Sequence, residues 1–338
     1  MSKKLRLLLI GFGNAAQAFV KMLSEKERYL AEEKDIQVLV TAIAGNRKGS
    51  LLDKNGIDLC AILERQQINS KFENALSFNT LEVIAQAEAD VAIELSPLSI
   101  MDGQPAISHI KAAFDRGMHV ITANKGPIAW AFEDLCSLAE NRAVKFLYET
   151  TVMDGAPVFN LMHHCLKGCE ILSFEGILNT TTNFILEEME QGGHFADAVA
   201  AAQRRGFAEA DPEMDITGMD AAAKTCALAN ALMFARLTPP EVATRGIEDI
   251  TQSQVAQALA TGQKIKLLCR GLRDGSSVCG EVSPVWLPLA HPFAGISGTS
   301  SVLTIETDLM GKLTVIEHDP EIRQTAYGIF SDMLQLIR

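Results

Sequence analysis

A strand that turns on two glycines into a helix lies within the first sixteen residues. The run Leu5–Ile10, aliphatic apart from Arg6, has the apolar continuity of a strand buried on both faces. Gly11-Phe12-Gly13-Asn14-Ala15-Ala16 follows, and then a helical pattern to about Ala31. Strand, glycine turn and helix in this order open a dinucleotide-binding βαβ unit. Gly11 permits the tight turn. Gly13 lets the backbone approach a pyrophosphate resting on the helix N-terminus, and Asn14 and Ala15 complete the cofactor turn. Ala16 takes the place of the third glycine.

The second strand is expected near Ile36–Ile43. An NAD site usually has an acid at its end, to bond the ribose 2′-hydroxyl. The residues here are Ala44-Gly45-Asn46-Arg47-Lys48, with two cations and no acid. Arg47 and Lys48 suit a 2′-phosphate, which favours NADP and leaves NAD open. Strands are predicted at Val91–Leu95, His119–Thr122 and Val144–Leu147, with helices near Thr80–Glu88, Pro105–Arg116 and Ile128–Asn141. Alternating β and α over about 150 residues indicates an α/β, Rossmann-type doubly wound parallel sheet. Ser96 and the segment Thr122-Ala-Asn124-Lys125-Gly-Pro127 fall at carboxyl ends of strands, where such sheets bind ligands.

Composition narrows the function. The chain has 42 acidic and 30 basic residues, a net charge of −12, and so no basic stripe to neutralise nucleic-acid phosphates. Seven cysteines, with no Cys-x-x-Cys pair, suggest reduced thiols and a cytoplasmic location. Cys165 and Cys169 lie near His163 and His164, but no further ligand pair follows, so packing is the better reading there. The N-terminal apolar segment is too short for a signal peptide or a membrane span.

The second half changes pattern. Gly155-Ala-Pro157 breaks the chain and a helix to about Lys167 follows. Ile171–Leu178 reads as a strand and leads into Asn179-Thr180-Thr181-Thr182-Asn183 before a helix at Phe184–Glu190. Hydroxyls and amides bunched there either cap the helix or bind a carboxylate. Strands are expected near Lys264–Leu272, Val278–Trp286, Val302–Thr307 and Leu313–Glu317, with a last helix over Pro320–Ile337. This makes an α+β catalytic and dimerisation domain over 148–318, beside a nucleotide domain of 1–147 completed by 319–338. Between them in chemistry sits Gly206-Phe-Ala-Glu209-Ala-Asp-Pro212, followed by Asp215, Asp220 and Lys224. Pro212 and Gly218 interrupt the first part. Asp220 and Lys224 share one face of the apolar helix that follows. The cluster reads either as a capped helix start with a surface ion pair or as a site that grips an ammonium and moves a proton.

Taken together, these pieces resemble the short form of homoserine dehydrogenase. The glycine turn at 11–16, Thr122–Pro127, Glu149-Thr-Thr-Val152, Gly176-Ile-Leu-Asn179 with Thr181-Thr-Asn183, and Gly206–Pro212 through Lys224 occur in the family's order over nearly the whole chain. The resemblance implies a cytoplasmic homodimer with neither a fused aspartate kinase nor a C-terminal regulatory domain. It also implies an NAD(P)-dependent interconversion of L-homoserine and L-aspartate 4-semialdehyde, on the route to threonine and methionine. Lys224 is then the acid/base, with Lys125 beside the reacting oxygen and Asp220 orienting. Glu209 and Asp215 take the substrate's ammonium, and Thr181 and Thr180 line its site. Glu149, with the carbonyls of Val152, Asp154 and Ala156, marks a place for a monovalent cation such as Na⁺ or K⁺.

The chain departs from the family pattern in four places. Met153-Asp154 replaces a glycine pair. Thr180 replaces a glycine, and a branched residue there would strain the loop if φ were positive. Glu317, Asp319 and Glu321 occupy a segment that is usually glycine-rich. Phe207 replaces a tyrosine. These changes keep two other readings open: a related dehydrogenase of another small amino or hydroxy acid, and a catalytically weak nucleotide-binding regulator.

Overall fold

The computed structural model describes residues 3–46, 48–65, 71–72 and 75–337. Arg47 lies outside the described residues. The chain is α/β and divides into two compact units. The first comprises 1–127, 131–157 and 321–338, and the second 128–130 and 158–320.

The first unit carries β1 (Lys3–Ile10), β2 (Ile36–Ala44), β3 (Leu51–Leu52), β4 (Val91–Glu94), β5 (His119–Thr122) and β6 (Phe146–Leu147). Their order is β3-β2-β1-β4-β5-β6, parallel except for the antiparallel edge strand β3. Leu7–Ile10 are wholly buried, as a central parallel strand requires. Arg6 escapes that burial by pairing with Asp90, at 2.7 Å. The helices of this unit are α1 (Asn14–Glu25), α2 (Glu27–Glu33), α3 (Leu59–Arg65), α4 (Thr80–Gln86), α5 (Ala106–Asp115) and α6 (Lys125–Asn141). The single helix expected to Ala31 is instead two, because Lys26 leaves helical geometry. The strand expected from Val144 is only two residues long. Ala143 turns left-handed at φ 54°, and the Val144 N–H closes the preceding helix on the Ala139 carbonyl.

The second unit holds α7 (Val158–Cys165), β7 (Ile171–Ile177), α8 (Thr180–Glu190), α9 (Phe195–Arg204), α10 (Glu213–Ile216) and α11 (Met219–Met233). It continues with β8 (Ala243–Thr244), α12 (Gln252–Ala260), β9 (Gln263–Asp274), β10 (Ser277–Pro288), β11 (Ser301–Thr307) and β12 (Gly311–Glu317). A last helix, α13 (Ile322–Leu336), belongs to the first unit and packs on α1. The second sheet runs β12-β11-β7-β9-β10-β8 and is antiparallel apart from the β8–β10 pair. Helices α8, α11 and α12 pack on its central strands, and the Ala-rich side of α11 is buried throughout. Among the described residues no helix is long and apolar enough to cross a membrane.

Candidate functional site

The first unit offers a seat for a nucleotide. Gly11 takes φ 94°, and a Cβ there would collide with the Leu95 carbonyl, so only glycine fits. Gly13 is the N-cap of α1 and caps it with no side chain. A Cβ on Gly13 would meet nothing within 4 Å. The first N–H groups of α1, at Asn14 and Ala15, lie at the positive end of the helix dipole, where a helix start has donors to spare for a pyrophosphate. The residues thus fit a dinucleotide. The Lys48 ammonium lies 5.7 Å from the Phe12 ring centroid, inside the same turn, and burial lowers its pKa.

The ends of β4 and β5 are tied together by a buried carboxylate. Glu94 is wholly buried and accepts from the Ser96 hydroxyl, from the Ser96 N–H at 3.1 Å and from the Thr122 hydroxyl at 3.2 Å. The Thr122 hydroxyl accepts from the Asn124 N–H, and the Asn124 side chain caps α6 at the Gly126 N–H, both at 3.0 Å. Ser96 and Asn124 are thereby fixed at neighbouring strand ends, and Lys125 follows as the first residue of α6. From the sequence both strand ends, Glu94-Leu-Ser96-Pro97 and Thr122–Pro127, look chemical; that Glu94 ties the two together could not be read there.

The second unit gathers the acids and Lys224. Gly218, left-handed at φ 81°, ends α10 and launches α11, so Asp215 and Asp220 come from successive helices. Lys224 Nζ lies 3.7 Å from Asp220 Oδ2 and donates to the Leu178 carbonyl. Asn179 Nδ2 donates to Asp215 Oδ1 at 2.7 Å and to Asp220 Oδ2 at 3.0 Å. The Thr181 hydroxyl donates to the Phe207 carbonyl at 2.7 Å. Phe207 packs edge-on against Phe184, with ring centroids 5.1 Å apart, an apolar contact that needs no phenol hydroxyl. Burial, and then the neighbouring Asp220, raises the pKa of Asp215, against the hydrogen bond from Asn179 and the charge of Lys224. Glu209 is exposed; its carbonyl and that of Ala210 accept from Gln203 Nε2.

The strain expected at Thr180 does not arise. Thr180 is the first residue of α8, in helical geometry, so that position needs no glycine and carries no strain. The polar cluster belongs to the helix: Asn179 is its N-cap, and the helix starts four residues earlier than predicted. Two acids of the 317–321 segment serve local structure. Asp319 Oδ1 accepts from the Ser300 hydroxyl at 3.3 Å, and Glu321 forms a capping box with Gln324 at the start of α13.

Glu149 is buried in a 3₁₀ turn, and its N–H donates to Asp332 Oδ2 at 2.9 Å. Asp154 takes a left-handed φ of 37°, a conformation that glycine adopts freely and Asp tolerates. Its Oδ1 accepts from the Thr325 hydroxyl at 2.6 Å, so this oxygen is engaged within the fold. The donors expected at this place, the Glu149 carboxylate and backbone carbonyls, are all oxygens, the ligand type that hard cations take. Among the described residues no group of three or more His, Cys, Asp or Glu could hold a metal, the Cys165–Cys169 region included.

One buried cation escaped sequence reasoning. Lys266 of β9 is 1% exposed, and its Nζ donates to Asn183 Oδ1 and to the Ile296 carbonyl, each at 2.7 Å. Its only signal was a lysine interrupting the apolar run of Ile265–Leu268. Burial pushes the ammonium down to about 8, with Glu190 and Glu187 opposing. Above that pH the folded chain sheds a proton that the unfolded chain keeps until about pH 10.4. Stability therefore gains from Lys266 as pH rises through this window. Urea melts should show the wild-type advantage over Lys266→Met growing between pH 7.5 and 10.5, by on the order of 3 kcal/mol. A difference that stays flat with pH would defeat the assignment.

Comparison with known proteins covers both units. The family described as Homoserine dehydrogenase matches residues 157–334, and that described as Homoserine dehydrogenase, NAD binding domain, matches 11–149. The chain is 35% identical to a homoserine dehydrogenase of Methanocaldococcus jannaschii, covering 98% of each chain. It is 34% identical to an NAD(+)-dependent homoserine dehydrogenase of Pseudomonas canavaninivorans, covering 98% of this chain and 96% of that one. A solved homoserine dehydrogenase from Thiobacillus denitrificans has a TM-score of 0.85 at 26% identity, covering 99% of this chain and 74% of that chain.

Proposed function

The chain belongs to the homoserine dehydrogenase family of NAD(P)-dependent oxidoreductases, and from that premise we propose that Lys224 and the acids around it carry the interconversion of L-homoserine and L-aspartate 4-semialdehyde. The observation that supports this most directly is the Lys224–Asp220–Asn179–Asp215 cluster. When bound, the nicotinamide exchanges a hydride with the carbon that carries the substrate's terminal oxygen. The oxygen must lose or gain a proton in the same event, and Lys224 Nζ moves it. Asp220 orients that ammonium from one helical turn away. Asp215 and Glu209 bind the α-ammonium by charge-assisted bonds, and Thr181 and Thr180 line the substrate at the start of α8. Lys125 is the second catalytic lysine.

NADP is the preferred nucleotide in this reading. Lys48 beside the Phe12 ring supports it, since a cation at that turn can pair with a 2′-phosphate; Arg47 is its proposed companion. The monovalent cation belongs to the Glu149 turn. A homodimer is also proposed, and the exposed Leu272 and Ile316 of the second sheet are apolar surface for it to cover.

The test is L-homoserine oxidation followed at the nicotinamide absorbance, with NADP and NAD in parallel. Well-folded protein that turns over with neither nucleotide would sink the reading. Replacing Arg47 and Lys48 together with Ala should raise KM for NADP roughly tenfold or more and leave KM for NAD nearly unchanged. An equal rise for both would remove the 2′-phosphate argument.

A further inference from the structure

Two carboxylates held side by side in a poorly hydrated place repel each other before any substrate arrives. Asp215 and Asp220 share this problem, and burial sharpens it, because Asp215 sits in a largely desolvated place. One neutral group lies between them. Asn179 is 4% exposed, and its amide nitrogen reaches both acids, at 2.7 and 3.0 Å.

The orientation of that amide is fixed by the chain. Asn179 Oδ1 accepts from the Thr182 N–H at 2.9 Å as the N-cap of α8. An N–H can only be met by the oxygen, so the nitrogen must turn to the acids. Each of its two hydrogens then has one carboxylate. The cap and the clamp are one side chain with its two ends assigned. One turn further along α8, the Asn183 amide holds Lys266 through its oxygen and the Gly298 carbonyl through its nitrogen, at 3.1 Å. Helix α8 is thus anchored below the point where Asn179 acts.

We infer that Asn179 is a positioning residue, clamping Asp215 and Asp220 at one spacing and so preparing one acid that binds the ammonium, Asp215, and the acid that orients Lys224, Asp220. The inference rests on the reading given under Proposed function only for its kinetic consequence; the clamp itself is a property of the free protein. The charged and polar groups facing Asp215 are Asp220 and Lys224 from α11, and Asn179 and Thr181 at the start of α8. Of these, Asn179 and Lys224 oppose protonation of Asp215, and Asp220 favours it. Removing the clamp therefore leaves Asp215 easier to protonate.

Two variants separate clamp from cap. Asn179→Ser keeps a neutral N-cap acceptor but is too short to reach both acids. Asn179→Asp keeps the cap and replaces the donor by a third carboxylate. The first measurement is a ¹³C NMR titration of the Asp215 carboxyl in the free protein. Its midpoint should move to higher pH in Asn179→Ser; an unchanged midpoint would overturn the clamp whatever the substrate is. The second is the pH profile of kcat/KM for L-homoserine. KM for homoserine should rise roughly tenfold or more in Asn179→Ser, and further in Asn179→Asp, with the acid limb moved to higher pH and KM for the nucleotide unchanged. A fall in melting temperature alone, or an equal rise in both KM values, would reduce Asn179 to a helix cap. Failure of the wild-type protein to oxidise homoserine would strike the functional reading and leave the titration to decide the clamp.

Discussion

Lys224→Ala is expected to lower kcat for L-homoserine oxidation by roughly 10²–10⁴-fold, the range that positioned acid/base groups supply. The fold should hardly notice. Alanine is the best helix former, and Lys224 sits inside α11 among alanines. The lost ion pair with Asp220 is an i,i+4 contact, worth about 0.5 kcal/mol or less in a helix. The Leu178 carbonyl loses a donor, at a cost of about 1 kcal/mol. Asp220 keeps its bond to Asn179, so the carboxylate is not stranded. A large kinetic loss on a nearly unchanged melting curve would locate the defect in proton transfer. Lys224→Arg sharpens the point. It keeps a charge near Asp220 but cannot give up its proton, so it should not restore turnover. A Lys224→Ala enzyme within threefold of wild-type kcat would remove the residue from its role.

What could be read from the sequence follows the range of the interactions concerned. The turn from β1 into α1 was legible because its requirements are local: an apolar strand, a left-handed glycine and an open helix start lie within a dozen residues. The Asp220–Lys224 proximity was legible because i,i+4 spacing dictates it. The bond from Asn179 to Asp215 spans 36 positions, and no pattern in either segment announces the other. Helices α9 and α12 were missed because Ala and Gln supply much of their length, and their buried faces are made mostly of alanine rather than large apolar residues. Strands β3 and β8 are two residues each, too short for alternation to register. Thr180 misled because a glycine in relatives was taken to mean positive φ, whereas this chain simply begins α8 there. Asp154 is the opposite case, a glycine-like position with φ of 37° held by a residue that tolerates it and bonds Thr325.

The same distinction between backbone need and ligand need makes Gly11 and Gly13 separable by mutation, although both belong to one turn. Gly11→Ala should cost the fold itself. It places a Cβ at φ 94° against the Leu95 carbonyl, in the region where an L-residue is disfavoured by about 1–2 kcal/mol before any clash is counted. Gly13 has no such constraint. Its φ is −85°, and a side chain would enter open space. Asp is a preferred N-cap and its charge suits the helix dipole, so Gly13→Asp should melt at or above the wild-type temperature. It should also bind nucleotide far worse. Its carboxylate would take the N–H groups proposed for the pyrophosphate, each worth about 1.5–3 kcal/mol as a charge-assisted bond, and would repel the phosphates besides. KM for NAD and NADP should therefore rise together, by roughly 10²-fold or more. Gly13→Ala, which neither caps nor carries charge, should fall between the two. A stable Gly13→Asp protein with wild-type KM for both nucleotides would mean that the open N-terminus of α1 is not where the pyrophosphate rests. A destabilised one would mean that the space beside Gly13 is needed by the fold.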